Sequence, residues 1–550
     1  MRITPRLGVA ILVATAACTS SDRGAAAGDT GGTLLIALPV EPRTLMPPFL
    51  RALQDLEISD QLFDVLADIG PELNTIGDAG WTPRLAESWQ WSADSLSISF
   101  RLHPRARWHD GQRVTSTDVQ FSVALNKDPA VGSRLARALA DVDSVSIPDS
   151  LTAVVWYARR SPEQFYNVAY NLTLLPAHLL RDTDRANLAS HPFARKPVGS
   201  GPFRFVRWDA RSLVEVAADT AYYRGRPRLD RVIWTLNPDL NAALVSILAG
   251  EVDVYESMTT DAMTRVAGQD LVRALPYPNL NYGYLGFNFR DPKNPERPHP
   301  LFADRELRRA IAMALNRDPL LRNVYDSLAL VGAGPFSRMF PTADTGIRMV
   351  AWDSAGADRI LDSLGWQDRN GDGIREKNGR PLRFGIMFPS SSLPRRRYAE
   401  LIQAQLRPHG IQADVDAADI TVVVPRLFSG QFDAVLNQWG LDPSPGGIRD
   451  HWHTMPAKDR ALNLQMYSNS SVDAAIDSAI TEWDPARSRA LYRRAYQMIT
   501  DDIPAVWLFE SRPFMALHSR VQPDLSARDV WWRNLWRWSI PAANRLPRDG

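Results

Sequence analysis

Trp439 and Asp442 stand three residues apart in FDAVLNQWGLDPSP, residues 432–445, a large aromatic and a carboxylate among prolines and glycines. An indole offers a desolvating wall and a carboxylate a charge-assisted hydrogen bond, so the pair suits a ligand that carries an amine. A buried structural tryptophan beside an aspartate that caps a turn is the plainer reading of the same residues. Asn437 and Gln438, just before the tryptophan, are candidate hydrogen-bond donors. Other combinations are weaker. His109-Asp110 could be a ligand or acid–base pair, but Asp110-Gly111 is turn chemistry that closes a hairpin. Asp368, Asn370, Asp372 and Gly373 fit the early positions of a calcium loop, yet Gly379 stands where a bidentate glutamate belongs. A polar turn is expected there. His451 and His453 lack a third ligand at metal-site spacing, so no metal and no cofactor are expected. There is no GxSxG, HExxH or Walker A motif, and no carboxylate spacing singles out a glycosidase pair. An exported hydrolase is the minor alternative.

The elements that must position these residues follow from periodicity. Residues 432–437 alternate as a short strand ending in a loop that carries Trp439 and Asp442. Upstream, a strand over 382–388, a serine-rich loop over 390–395, a helix over 396–406 and a strand over 411–415 form a βαβ pattern. That predicts an open, largely parallel sheet with ligands outside the strand C-terminal ends, where Ser391 and Arg395 lie. Nearer the start, residues 33–40 read as a buried first strand followed by the stiff loop of Glu41 and Pro42. A helix is expected over 54–67, a strand over 95–102, and Thr115–Asp118 caps a helix. Residues 284–290 alternate as a strand, Asp304 caps an amphipathic helix, and Asp318-Pro319 starts the next. Helices are expected over 472–481 and 486–500, and a short strand over 503–509.

At 550 residues the chain is too long for one core. Its formal charge of +1, without basic runs, excludes a nucleic-acid partner on electrostatic grounds. The start reads as processing sequence. Arg2 and Arg6 precede a short apolar stretch over 7–17, then Thr15-Ala16-Ala17-Cys18, which contains the only cysteine. This resembles a bacterial lipoprotein signal, although Thr15 stands where leucine is usual. Residues 1–17 would be removed, Cys18 lipidated, and 18–32 left as a flexible tether to the membrane. Removal takes the charge from +1 to −1. One cysteine allows no disulfide framework.

Further resemblance accumulates along the chain. PRLAESW (83–89), ISFRLHPRARWHDG (98–111), DVQFS (118–122), PVGSGPFRF with Trp208, and the turn Tyr222–Pro227 occur in the order of the bacterial solute-binding proteins of family 5. These are extracytoplasmic peptide/nickel-class receptors of ABC importers, including dipeptide- and oligopeptide-binding lipoproteins. The resemblance spans about residues 33–545. It implies an α/β, two-lobed periplasmic-binding-protein fold, type II and cluster C-like, with an extra subdomain in the first lobe. The first lobe would be 33–275 plus 509–550, the second 286–502, with hinges near 276–287 and 503–510. It implies a monomer that captures peptides or similar solutes and delivers them to permease subunits. Trp439-Gly440-Leu441-Asp442 matches the family's Trp-x-x-Asp pattern, whose aspartate pairs with a peptide α-amino group. Tyr284 and the loop containing Glu41 are further candidate contacts. One departure concerns Leu436, which stands where some relatives carry a basic residue suited to a ligand carboxylate; Arg395 is the candidate replacement. Nickel complexes, sugars and other solutes bind the same fold, so non-peptide cargo is the alternative. The tryptophans at 531, 532, 536 and 538 are expected to pack on the first lobe.

Overall fold

The computed structural model describes residues 30–455 and 462–549. The expected leader, Cys18 and most of the tether lie outside these residues. Thr33–Leu38, apolar except at its first position, becomes an interior strand. It pairs in parallel with Arg231–Leu236 on one side and Val254–Tyr255 on the other. Val272–Pro276, Phe514–His518, Leu213–Ala218 and Phe203–Asp209 complete a seven-stranded sheet. Asp239 starts the helix Leu240–Leu248 by accepting the Asn241 and Ala242 N–H groups. A four-stranded antiparallel sheet over residues 86–157 shares the same apolar core, in which Ile98, Phe100 and Val155 cluster with Trp234 and Trp531. This is the extra subdomain. Trp531, Trp532 and Trp538 are buried in that core, with Trp531 Nε1 donating to Glu256 and Trp532 Nε1 to Asp60.

Gly199 and Gly201 make a packing contact. A Cβ at Gly199 would fall on the Leu62 carbonyl oxygen, and Gly201 donates its N–H to that carbonyl at 2.9 Å. The glycines let this turn press against the end of the helix Leu53–Leu62, which stops five residues short of the expected end. His109 is engaged here, with Nε2 at 3.0 Å from the Gly201 carbonyl. Asp110 pairs with His178.

The second sheet is mixed, where a largely parallel one was expected. Arg383–Pro389 runs parallel to Gln412–Ala418 and Ala434–Gly440. Asn281–Phe287, however, is antiparallel to both Ala434–Gly440 and Ala505–Ser511, and Ala329–Val331 closes the edge. Every residue of Asn281–Phe287 is buried, so its alternation reflects two covered faces. Leu285 and Phe287 enter one core, Tyr282 and Tyr284 the aromatic core opposite. Asn316 caps the helix Arg317–Val324, so Asp318 and Pro319 fall inside its first turn. Asp304 caps Arg305–Ala314 as expected. Asp368 accepts the N–H groups of Gly371 and Gly373, holding a polar turn. Among the described residues no group of three metal-ligating side chains converges.

The strands fix the crossings. The chain leaves the first sheet after Pro276 and enters the second at Asn281; it leaves again after Ser511 and rejoins the first at Phe514. Asn281–Phe287 and Ala505–Ser511 are therefore paired strands of the second sheet, and the linkers are shorter than the stretches expected to cross. Tyr277 N–H donates to the Pro513 carbonyl at 3.1 Å, joining the two linkers.

Candidate functional site

Trp439 lies within the strand Ala434–Gly440, where a loop was expected, because it continues the ladder opposite Tyr282. Its ring stacks on His451, centroids 4.5 Å apart and planes 9° from parallel. His451 stands on the helix Ile448–Trp452 rather than a loop. Burial pushes its pKa down to about 3, so the stack is between neutral rings. Trp452 Nε1 donates to Tyr282 Oη at 3.1 Å, and the same hydroxyl is hydrogen-bonded to His451 Nδ1 at 3.2 Å. The indole wall is thus held from behind by a hydrogen-bonded aromatic cluster. Trp439 Nε1 itself is buried without a hydrogen-bond partner among the described residues. His453 turns away toward Asp473 and Asp477, so the two histidines do not converge.

Asp442 follows the same strand and keeps solvent contact, although protein surrounds it on most sides. Those surroundings raise its pKa; the Ser444 N–H, donated at 2.9 Å, and Arg134 oppose the rise, and Asp450 adds to it. Water screening of an exposed carboxylate keeps the effect modest. Asp442 makes no ion pair among the described residues. Tyr166 is near enough to favour its charge, yet the tyrosine hydroxyl makes no hydrogen bond of ordinary geometry.

The remaining candidates separate. Asn437 is half-buried beside Trp439 and donates to Tyr284 Oη at 3.1 Å. Tyr284 is fully buried, 0% exposed, in the aromatic core. It supports Asn437 from behind and offers no surface to a ligand, a correction that follows from its place on a central strand covered on both faces. Gln438 reaches toward the linkers, donating to Asn281 Oδ1 and Ser511 Oγ at 3.3 Å each. Glu41 accepts from Trp208 Nε1 at 2.9 Å and lies 3.9 Å from Arg195, in a separate first-lobe group. No hydrogen bond or ion pair joins it to Asp442 among the described residues. Ser391 is exposed in the loop after Arg383–Pro389. Arg395 belongs to the first turn of the helix Leu393–Leu406, which begins three residues before the expected start. Burial lowers its pKa, with Tyr325 and Tyr284 opposing, and it makes no ion pair among the described residues. Leu436 is 3% exposed in the core on the opposite face from Trp439, so position 436 does not border this site.

Three contributors carry no signal of their own in the sequence. Glu163, Thr75 and Tyr166 come from the first lobe and meet Ser444 and Asp442 of the second. Glu163 and Ser444 are 281 residues apart, a separation that local pattern does not reveal. His451 was visible in the sequence only as half of a histidine pair.

In chemical terms, the arrangement offers a carboxylate, a guanidinium and an indole wall at one end of one sheet. Comparison with known proteins gives it context. Residues 80–453 match the family model described as bacterial extracellular solute-binding proteins, family 5 Middle. The oligopeptide-binding protein AppA of Bacillus subtilis is 27% identical over 530 residues, 94% of each chain. The structure of AppA from Bacillus subtilis in complex with a nonapeptide superposes with TM-score 0.78 at 25% identity, covering 93% of this chain and 99% of that one. NikZ from Campylobacter jejuni, in complex with Ni(L-His), shares the fold with TM-score 0.78 at 22% identity, covering 92% and 99%.

Proposed function

The chain belongs to the bacterial extracellular solute-binding proteins of family 5, and from that premise we propose that its cargo is peptide, held by Asp442 at the ammonium end and Arg395 at the carboxylate end. Members of this family are solute-binding receptors rather than enzymes, and the two-lobed fold supplies the cleft. One observation carries the peptide reading: opposite charges, neither with an ion-pair partner among the described residues, follow the ends of two neighbouring parallel strands, Ala434–Gly440 and Arg383–Pro389. Both strand ends open at the side where α/β sheets take ligands. A peptide zwitterion brings a cation to one charge and an anion to the other. Trp439 forms the wall between protein and ligand, Asn437 donates beside it, and backbone pairing would hold an extended peptide without selecting its side chains. The name of the similar oligopeptide-binding protein supports the peptide class. The NikZ likeness supports a second reading, a small metal complex in the same cleft.

On this reading the lobes, 33–276 with 514–549 and 281–511, close about the linkers at 277–280 and 512–513. The protein works as a monomer outside the cytoplasm, tethered by lipid on Cys18, and hands its cargo to permease subunits. The site test is calorimetry on Asp442→Asn with one peptide in free and N-acetylated forms. The free peptide is expected to lose about 1.5–3 kcal/mol, the typical strength of a charged hydrogen bond, and the acetylated one much less. Equal losses would remove the ammonium role.

A further inference from the structure

The lobes also touch through groups that ligand capture does not require. Residues 70–80 of the first lobe form a tight loop, in which Asn74 Nδ2 reaches the Ile76 carbonyl and Trp81 Nε1 the Asn74 carbonyl, each at 3.1 Å. The loop holds Leu73 at φ 51°, in the left-handed region. Leu73 is 1% exposed and shares the aromatic core of the second lobe with Phe336, Trp452 and Tyr492. Beside it Glu163 accepts Thr75 Oγ1 at 2.6 Å from its own lobe and Ser444 Oγ at 2.7 Å from the other. Ser444 also donates its N–H to Asp442. A Cβ at Gly446 would come within 2.9 Å of Glu163 Oε2, so glycine there permits the approach. At the rim Arg137 pairs with Asp450 at 2.7 Å, and Arg160 lies 4.9 Å over the Trp483 ring.

We propose that Leu73, Thr75 and Glu163 form a closure latch, in which Glu163 is a positioning residue that fixes the Asp442 loop through Ser444 when the lobes meet. The latch rests on the reading of Asp442 as a ligand group only for its effect on affinity; closure itself needs no ligand. Among the described residues Glu163 has no basic partner. Facing it are Asp442 from the second-lobe loop, Tyr166 from its own helix, and Tyr492 and Tyr496 from Pro485–Asp502, with Arg134, Arg137 and Asp450 around Asp442. Burial between the lobes pushes the Glu163 carboxyl up to about 7, opposed by the Thr75 and Ser444 hydroxyls and reinforced by Asp442. With the lobes apart it returns toward ~4.3. The shut state therefore binds a proton that the open state does not, and closure weakens as pH rises through that window. An ammonium on Asp442 cancels the charge that repels Glu163, so ligand and latch assist each other.

The test is the open-to-shut ratio of the mature protein without added peptide, read by energy transfer between dyes on exposed loops of the two lobes from pH 5 to 8.5. Closure is expected to fall roughly tenfold between pH 6 and pH 8, the linkage for one carboxyl of this kind. Glu163→Gln should flatten the profile, and Leu73→Ala should reduce closure at every pH while keeping its shape. A flat wild-type profile, or an unchanged slope in Glu163→Gln, overturns the latch. Should Glu163→Gln fail to fold, Ser444→Ala, which removes a hydroxyl that favours the charged carboxylate, must move the fall in closure to higher pH, and an unchanged profile again overturns the proposal. Binding of tetra-alanine, measured separately, reports on the peptide reading alone.

Discussion

Asp442 and Arg395 are charges without ion-pair partners among the described residues, in a protein that pairs most of its interior arginines. Arg84 is held by Asp64 and Asp68, Arg520 by Asp253 and Asp549, and Arg533 by Asp529. Among the described residues Arg395 has a single hydrogen-bond partner, Ser392 Oγ at 3.4 Å. Under the proposed function, Arg395→Gln should weaken a peptide with a free C-terminus by about 1.5–3 kcal/mol and its amide much less, as calorimetry on the two forms would show. Trp439 and Asp442 were legible as candidates because an aromatic and an acid beside prolines are unusual in sequence. Tyr284 was misassigned because side-chain type cannot distinguish a ligand wall from the cluster that braces it. His451 and Glu163 act through partners distant in the chain. Periodicity carries no information about such pairs.

Individual elements were legible where local chemistry sets them. Asp304 caps its helix through its own carboxylate, a signal written within four residues. The helix Ile420–Ser429 had no such clarity. Its run Thr421–Val424 is β-branched and Pro425 lies inside it, yet Asp419 starts it and Gly430 ends it at φ 75°. Tertiary packing of Val423 on the sheet prevails over propensity there. The extent of Ala434–Gly440 was equally hidden, since only its ladder to Asn281–Phe287 carries the strand through Trp439. The glycine turn gives an element-scale prediction. Gly199→Ala should cost about 1–3 kcal/mol by overpacking against the Leu62 carbonyl, seen as a lower denaturant midpoint. An unchanged midpoint would mean that this turn yields more easily than backbone contact implies.

On the scale of the whole molecule, the two-lobed fold followed from the order of many short motifs, while sheet polarity and the crossing points depended on which strands pair. A further consequence lies in the first lobe. Glu57 and Glu256 are buried close together, bonded to Trp234 and Trp531, and among the described residues Glu57 Oε2 has no partner. Burial raises both pKa values, Glu256 to about 7, and the Glu256 charge adds to the rise at Glu57. Groups neutral in the fold but ionised near pH 4.3 when unfolded stabilise it fully in acid, and that contribution is lost as pH rises toward 7. The denaturant midpoint should therefore fall between pH 5 and pH 8, and Glu256→Gln should reduce the fall; a midpoint that rises with pH would contradict the pair's role. The central claim, that this cleft takes peptide, is tested most directly by native mass spectrometry of protein purified without denaturation from its own host. Retained mass that fragments into peptides with free amino ends is the expected result. Retention of a nickel complex or a sugar in place of peptide would contradict it.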